Sequence, residues 1–219
     1  MADRIDIRPT DVLLIVDPQL DFCDDGALPV GGGHAVMPSI DAIAARFALV
    51  VITQDWHPPG HASFAETHGV APFSTVRLAY GEQTAWPTHC VQGTPGAAIH
   101  PGLRVARERA GLILRKGHHG AIDSYSAFFE NDRTPTGLGG YLRERGFRRV
   151  VLVGLAYDYC VRFSAEDAVR EGFEALVIAD ATRAIDLDGS KAETDAALGR
   201  LGVRVLGGGA LLAPERAKA

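Results

Sequence analysis

One cysteine stands at a position in the sequence where a thiol could act as a nucleophile. Cys160 follows the apolar run Val150–Val153 and the short segment 154–159, and a stretch with helical spacing begins near it. Unpaired N–H groups at the start of a helix favour a thiolate, and they would stabilise an oxyanion formed by its attack on a carbonyl. Most free cysteines are instead small buried hydrophobic residues, and this alternative stays open for Cys160 taken alone.

Two charged residues favour the nucleophile interpretation. Asp17 and Lys116 each lie at the end of a short apolar run, and parallel strands would bring such ends to the same edge of a sheet as Cys160. A lysine beside a thiol lowers the thiol pKa, and a carboxylate can accept the thiol proton and pass it on. Taken singly, Asp17 could cap a turn and Lys116 could be a solvated strand end. Their joint occurrence with Cys160 indicates a catalytic group of three.

Another set of residues could hold a metal ion. Asp55 and His57 are separated by one residue, and His89 follows later in the same irregular stretch. One carboxylate oxygen and two imidazole nitrogens suit zinc, iron or manganese and leave positions for water or substrate. Lone histidines are more often surface or packed residues, so the pattern is weak by itself. His61 and Ser63 lie close enough in sequence to line the same site or to hold a metal-bound water.

The order of the apolar runs predicts how these residues are positioned. Short β-branched runs alternate with segments of helical spacing, and the near-continuous apolarity of the runs is typical of parallel strands covered on both faces. We therefore expect an α/β fold, namely a doubly wound three-layer sandwich with a mainly parallel, six-stranded, Rossmann-like sheet. The predicted strands are Val12–Val16, Ala48–Thr53, Leu112–Leu114, Val150–Val153, Ala175–Ala179 and Val203–Leu206. The predicted helices are His34–Phe47, Gly139–Arg145, Val161–Glu171 and Lys191–Leu201.

The interval at about 55–100 is too long and too irregular for an ordinary crossover between strands. It carries both tryptophans and five of the eight histidines, a composition that disfavours disorder. We expect an active-site insertion at about 55–100 within a single domain that spans 1–219. A frayed tail is expected at Ala213–Ala219.

Composition and charge argue against several classes of partner. The chain of 219 residues is 47% hydrophobic and carries a net charge of −5, whereas nucleic acids and anionic membranes need clustered Lys and Arg. The N-terminal sequence MADRIDIRPT lacks the apolar segment of a signal peptide, and no apolar run reaches the ~20 residues of a spanning helix. Three cysteines without CxxC spacing disfavour a disulfide framework or a thiolate zinc site. We therefore expect a cytoplasmic protein that binds neither nucleic acid nor membrane.

Five segments, in consistent order, resemble one known family. The segments are DPQLDF, DWHPPGHASF, WPTHC, the strand end at Lys116 and GLAYDYCVRFSAEDAV. Together they resemble the nicotinamidase/pyrazinamidase branch of the isochorismatase-like cysteine hydrolases, and the similarity runs from about Val12 to Asp186. The resemblance implies an isochorismatase-like fold and an amidohydrolase that deaminates nicotinamide to nicotinate and ammonia through a thioester. It also implies activity on pyrazinamide.

The resemblance assigns roles to residues of this chain. Asp17, Lys116 and Cys160 match the catalytic triad, and the N–H groups of Ala156 and Cys160 match the oxyanion hole. The Leu155–Ala156 bond aligns with a cis peptide of the family. The residues that match its single divalent metal site, with zinc expected first and iron or manganese as alternatives, are Asp55, His57 and His89. The residues at or near the walls of the family's aromatic pocket are Phe22, Leu28, Trp86, Tyr125 and Tyr159.

Two positions depart from the family pattern. Leu20 stands where relatives commonly have Asn, and Tyr159 stands where some relatives have His. Neither change touches the triad or the metal ligands. A tyrosine beside the nucleophile could nevertheless alter the size of the pocket and the range of substrates.

Other functions compete with this interpretation. An amidohydrolase of the same superfamily that acts on carbamoyl or ureido compounds would share the triad but would generally lack the metal ligands. An isochorismate-cleaving hydrolase does not use a cysteine nucleophile, and a non-catalytic binding module would have no reason to carry the complete set of site residues. A homo-oligomer is compatible with the sequence, which contains no pattern that decides it.

Overall fold

The structure is a computed structural model that describes residues 5–212, so the fraying expected at Ala213–Ala219 lies outside the described residues. The strands are β1 (Ile5–Asp6), β2 (Asp11–Val16), β3 (Leu49–Asp55), β4 (Thr75–Leu78), β5 (Gly81–Thr84), β6 (Ala110–Lys116), β7 (Arg149–Leu155), β8 (Glu174–Arg183), β9 (Arg204–Leu206) and β10 (Leu211–Leu212). The α-helices are α1 (Gly33–Ala44), α2 (Ala65–His68), α3 (Arg104–Arg109), α4 (Leu138–Glu144), α5 (Arg162–Arg170) and α6 (Ser190–Arg200). No helix within residues 5–212 has the length and apolarity needed to cross a membrane.

Six of the strands form one parallel sheet in the order β6-β3-β2-β7-β8-β9. The predicted doubly wound α/β fold is confirmed, and each of the six predicted strands overlaps a strand of this sheet. Every residue of the two central strands, β2 and β7, is buried, which explains their continuous apolar runs. The edge strand β6 alternates between exposed and less exposed residues up to Lys116, so only part of it has the expected apolar character.

The strand order reverses between β2 and β7. The chain adds β3 and β6 on one side of β2, and it adds β8 and β9 on the far side of β7. Val16 pairs with Gly154 at the carboxyl ends of these two central strands. Ligands of open α/β sheets bind at such a switch point. We therefore expect a binding site beside Asp17 and the segment after Leu155.

Two apolar cores cover opposite faces of the sheet. Leu13 and Ile15 of β2 belong to the core that contains residues of α1 and α3. Val12, Leu14 and Val16 of the same strand belong to the core that contains residues of α4, α5 and α6. This alternation follows from the two-residue period of a strand. Helices on both faces of the sheet complete the predicted three-layer sandwich.

The region between β3 and β6 includes the interval expected to be an insertion. It contains the short helix α2 and the antiparallel hairpin of β4 and β5, followed by α3. These elements were not predicted from the sequence, because four to six residues are too few to show a clear hydrophobic period. An isolated bridge between Gln19 and Ile99 connects this region to the loop after β2. A second bridge, between His57 and Val91, connects two parts of the region to each other.

Candidate active site

The carboxyl ends of β2 and β7 approach each other closely at the rim of the sheet. Gly154 has φ 111°, and a Cβ added there would lie 2.1 Å from the carbonyl oxygen of Val16, so the position requires glycine. Asp17, with φ 43°, lies in the left-handed region. Its N–H donates to Oγ1 of Thr53 (3.0 Å), and the Thr53 hydroxyl donates to Oδ1 of Asp17 (2.6 Å). The neighbouring strand β3 therefore holds the Asp17 carboxylate in place.

The ammonium group of Lys116 lies at the centre of a buried, charged rim that Lys116 forms with Asp17 and Asp55. Its Nζ is 2.8 Å from Oδ2 of Asp17, contacts Oδ1 of Asp55 and donates to the carbonyl of Ser124 (2.7 Å). The same Nζ is 3.5 Å from Sγ of Cys160. Because the three charged side chains are almost fully buried, they compensate one another's charge instead of being screened by water.

Burial and ion pairing shift the pKa values of Asp17 and Asp55 in opposite directions. Burial raises the pKa of Asp17 to about 6, with the charge of Lys116 opposing part of the shift. Burial acts on Asp55 in the same direction, but the charge of Lys116 holds the pKa of Asp55 below its ordinary value. One carboxylate is therefore suited to exchange protons near neutral pH, whereas the other stays ionised.

Cys160 lies in a π-helical turn, Tyr157–Val161, that leads directly into α5. The expectation of a lowered thiol pKa is wrong for this structure. Burial raises the pKa of Cys160 well above its ordinary value; Lys116 opposes this shift, while Asp17 adds to it. A buried thiol of this kind needs a nearby base, and the Cys160 sulfur lies within 4.8 Å of carboxylate oxygens of Asp17 and Asp55.

Asp55, His57 and His89 bring three potential metal ligands together. Nε2 of His57 and Nε2 of His89 lie 3.7 Å and 3.9 Å from Oδ2 of Asp55. Nδ1 of His57 donates to the carbonyl of Gly117 (2.9 Å), and Nδ1 of His89 donates to the carbonyl of Pro87 (2.7 Å). With the proton on Nδ1, each Nε2 presents its lone pair beside the carboxylate, as a metal-binding histidine requires. These residues therefore fit one divalent metal ion.

His61 and Ser63 lie beside these ligands but bond to each other. Nδ1 of His61 accepts a hydrogen bond from the Ser63 hydroxyl (2.8 Å), and Nε2 donates to the carbonyls of His119 (3.1 Å) and Ile122 (3.2 Å). The His61 ring stacks on the ring of His57 with 4.2 Å between centroids. Both ring nitrogens of His61 are thus engaged, and the expectation that it lines the site or holds a metal-bound water stays a prediction.

A narrow cleft of about 330 Å³, its mouth included, leads to Cys160. Its walls are largely aromatic or aliphatic, and polar groups lie at its inner end, an arrangement that suits a small planar ring with a polar substituent. Trp86 and Tyr159 meet edge to face with 4.7 Å between their centroids. The lining includes all five residues expected to wall the pocket and consists of Phe22, Leu28, Asp55, Trp86, His89, Asp123, Tyr125, Ala156, Tyr159, Cys160 and Ile185.

The expected oxyanion hole would lie on the turn that carries the thiol. The Leu155–Ala156 peptide bond is cis, as predicted, and Ala156 directly precedes the π-helical turn. Ala156 and Cys160 both line the cleft. The participation of their N–H groups in oxyanion binding stays a prediction.

The aromatic wall of the cleft, which includes Trp86 and Tyr125, depends on residues that were not predicted from the sequence. Gln83, on β5 of the hairpin, donates to Oδ2 of Asp123 and to the hydroxyl of Tyr125, at 2.8 Å in each case. Nε1 of Trp86 donates to the same hydroxyl (3.0 Å). Asp123 and Ile185 also line the cleft. No local signal marks Gln83, because its partner Asp123 is 40 positions further along the chain.

Two further polar side chains fix the backbone around the site. Oε1 of Gln19 accepts a hydrogen bond from the N–H of Asp55 (2.7 Å), and Nε2 of Gln19 donates to the Asp55 carbonyl (2.8 Å). Asp158 accepts hydrogen bonds from the N–H groups of Ile185 (2.9 Å) and Asp186 (2.7 Å). Both residues stand within the segments DPQLDF and YDYC, but nothing in those segments identifies their distant partners.

Known proteins share this architecture. Residues 11–206 match the Isochorismatase domain family. A nicotinamidase from Acinetobacter baylyi is 51% identical over 180 residues, which cover 81% of this chain and 83% of that protein. The crystal structure of PnC1 from L. infantum in complex with nicotinate aligns with a TM-score of 0.84 at 41% identity, covering 95% of this chain and 98% of the other. The crystal structure of a Pyrococcus horikoshii pyrazinamidase in complex with zinc aligns with a TM-score of 0.74 at 33% identity, covering 91% of this chain and 99% of the other.

More distant relatives include a ureidoacrylate amidohydrolase from Rhizobium rhizogenes. It is 24% identical over 210 residues, which cover 85% of this chain and 76% of that protein. This similarity is far weaker than the similarity to the Acinetobacter baylyi nicotinamidase. With the family match spanning the parallel sheet from β2 to β9, the chain belongs to the isochorismatase family.

Proposed function

We propose that this chain is a nicotinamidase, a cysteine amidohydrolase that converts nicotinamide and water into nicotinate and ammonia and that also hydrolyses pyrazinamide. The observation that carries the proposal is the position of the Cys160 thiol at an aromatic cleft, 3.5 Å from Lys116 and within 4.8 Å of an Asp17 oxygen. Aromatic walls suit the pyridine ring, and a thiol beside a base suits attack on its carboxamide. The 51% identity to a nicotinamidase supports the same assignment.

In the first half-reaction, the Asp17 carboxylate accepts the thiol proton while Sγ of Cys160 attacks the carboxamide carbon. The negative charge that develops on the carbonyl oxygen is stabilised by the N–H groups of Ala156 and Cys160. As this intermediate collapses, its C–N bond breaks and Asp17 returns the proton to the leaving nitrogen. Ammonia departs, and a thioester between nicotinate and Cys160 remains.

In the second half-reaction, Asp17 accepts a proton from water, and the water oxygen attacks the thioester carbon. The C–S bond breaks, nicotinate is released, and Asp17 returns the proton to the Cys160 sulfur. A single group thus acts twice as base and twice as acid, which requires a pKa not far from the working pH. A value of about 6 for Asp17 meets this requirement.

Lys116 acts through its charge. Its ammonium contacts the carboxylates of Asp17 and Asp55 and lies 3.5 Å from Sγ of Cys160. Proton transfer from the thiol to Asp17 moves negative charge from one neighbour of Lys116 to the other. The ammonium therefore stabilises both charge distributions and lowers the cost of exchanging them.

One divalent metal ion belongs to the proposal, with zinc as the first choice and iron or manganese as alternatives. Asp55, His57 and His89 would hold it, because their ligand atoms lie within 4.8 Å of one another. When bound, the ion supplies a Lewis-acidic position that orients the ring nitrogen of the substrate. The single domain and the cytoplasmic location also stay predictions, and a homo-oligomer is compatible with the sequence but not decided by it.

The test is to incubate the purified protein, with metal supplied, with nicotinamide and to follow ammonia release. We expect turnover by the wild type and only background release by Cys160→Ala, with thermal unfolding used to verify that the variant is folded. A ureido compound assayed in parallel separates the alternative amidohydrolase. Hydrolysis of the ureido compound without hydrolysis of nicotinamide would overturn the assignment.

The metal is tested by prolonged chelation followed by addition of single divalent ions. We expect turnover of nicotinamide to be lost on chelation and to be restored by zinc, iron or manganese. The His89→Ala variant should not be restored by any of them at the same concentration. Full activity after thorough chelation would show that the three side chains do not act as ligands.

A further inference from the structure

We propose a second metal site, separate from the active site, in which Cys23, His34 and His100 bind a zinc ion or a similar transition-metal ion. One ligand atom from each of these side chains lies within 4.8 Å of the other two. The three residues come from the loop after β2, from the start of α1 and from the segment before α3. They take no part in the amide hydrolysis described above.

The spacing of the two histidines matches a shared metal ion. Nδ1 of His34 lies 3.1 Å from Nε2 of His100, and the two rings meet edge-on with 5.2 Å between centroids. In a tetrahedral site with Zn–N bonds of ~2.0–2.1 Å, two imidazole nitrogens are about 3.4 Å apart. The Cys23 sulfur is within 4.8 Å of one ring nitrogen of each histidine, so a movement of about 1 Å would bring it to a Zn–S bond of ~2.3 Å. Solvent would complete the coordination.

The surroundings of the cluster favour a cation. Nε2 of His34 faces Oδ1 of Asp25 at 2.7 Å, so the carboxylate holds the proton on Nε2 and leaves Nδ1 available as a ligand. Burial, followed by the negative charges of Asp24 and Asp25, raises the pKa of Cys23 to about 11, so a metal ion must displace a firmly held thiol proton, and the two carboxylates are what attract the ion. A bound dication would replace the thiol proton and compensate the negative charge of both carboxylates. The His34 side chain is 41% exposed, which gives an ion access from solvent.

The same atoms form a hydrogen-bonded chain that the metal would replace. The N–H of Gly102 donates to Nδ1 of His100 (3.0 Å), so Nε2 of His100 carries a proton that it donates to Nδ1 of His34. Metal binding through Nε2 moves this proton to Nδ1 and breaks the bond from Gly102. Because Gly102 is exposed, its N–H can bond to water instead, whereas the hydrogen bond from the Cys23 thiol to the carbonyl of Gln19 (3.5 Å) would be lost.

The site would connect the wall of the active-site cleft to the insertion. Phe22 and Leu28, on either side of Cys23, line the cleft. The N–H of His100 already donates to the carbonyl of Pro18 (2.8 Å), which holds the end of the insertion beside the same loop. A metal ion shared by Cys23, His34 and His100 would add a direct link between these parts and stiffen the cleft wall.

Cobalt(II) and zinc are the probes for this site. The Cys160→Ala protein provides the background, because it lacks the active-site thiol. The metal-free protein is titrated with Co²⁺ while sulfur-to-cobalt charge-transfer absorption is recorded, and bound zinc is measured separately after desalting. We expect the charge-transfer band and a second equivalent of zinc in this background. Both should be lost when Cys23→Ala or His34→Gln is added.

Two further variants separate this site from other histidines. The matched control is His68→Gln, which removes an exposed histidine at the end of α2 and should keep both signals. Adding His57→Ala should remove the equivalent of zinc that binds at the active site and leave the charge-transfer band. This result is expected whatever the outcome of the nicotinamide assay. Absence of the band in the Cys160→Ala background, or its persistence in Cys23→Ala and His34→Gln, would overturn the proposal.

Discussion

The charged rim at the strand ends and the aromatic wall of the cleft are positioned in different ways. Parallel pairing of β3 with β6 places Asp55 opposite Lys116, so the backbone of the sheet brings these charges together. Trp86 and Tyr125 lie outside the sheet and are joined to Gln83 by hydrogen bonds at one hydroxyl. The rim therefore has little freedom to adjust, whereas the wall can be altered one contact at a time.

This difference predicts different consequences for substitutions in the two regions. The rim contains buried charges whose loss leaves another charge without a partner, which affects both stability and chemistry. The wall contributes apolar contacts and hydrogen bonds that act mainly on binding. We expect changes in the rim to act on the folding free energy and kcat, and changes in the wall to act on KM.

The largest expected effect is that of Lys116→Met. Removal of the ammonium leaves two buried carboxylates side by side, so the free energy of unfolding should fall by ~3–5 kcal/mol and turnover should be lost. Chemical denaturation and nicotinamide hydrolysis measure the two effects. Arg115→Met, at the preceding position of β6, is the matched control, because Arg115 is exposed and outside the rim. Equal stability of the two variants would contradict a central role for the Lys116 charge.

Asp17→Asn tests the rim without a change in side-chain size. An amide cannot accept the thiol proton, so kcat should fall by about 10²–10⁴-fold while KM changes little. The exposed Asp132→Asn serves as the control for removal of one negative charge. Steady-state kinetics with nicotinamide gives both constants. A fall in affinity with kcat retained would assign Asp17 to binding instead of proton transfer.

The pH dependence of kcat/KM tests the same carboxylate in the intact enzyme. Asp17 must be ionised to act as a base, and burial raises its pKa from 3.8 to about 6. Activity should therefore be present above this value and fall about tenfold for each pH unit below it. A profile that stays level down to pH values near an ordinary aspartate pKa would show that Asp17 is not perturbed or not the base.

The smallest expected effect is that of Gln83→Ala in the wall. This change removes the hydrogen bonds to Asp123 and Tyr125, which are each worth about 1 kcal/mol, so KM should rise by roughly 5–30-fold. The value of kcat should change little, because the rim is intact. Glu82→Ala, on the same short strand but exposed, is the matched control. If kcat fell by the same factor by which KM rises, the aromatic wall and the charged rim would not act independently on binding and on chemistry.

The sequence by itself determined the sheet and the convergence of charges on its rim. Continuous apolar runs predicted buried parallel strands, and the carboxyl ends of such strands share one edge. The positions of Asp17, Asp55 and Lys116 follow from this rule without knowledge of any side-chain contact. Cys160 could be added because the loop after β7 ends at the same edge.

Tertiary structure alone decided the protonation of the thiol and the partners of the wall. The helix start and Lys116 suggested a lowered pKa for Cys160, but burial outweighs them, and burial is a property of the whole fold. His61 and Ser63 bond to each other, and Gln83 reaches Tyr125 across 42 positions of sequence. The cluster of Cys23, His34 and His100 arises in the same way. Desolvation and contacts between distant residues depend on how the chain packs, and local sequence carries no record of either.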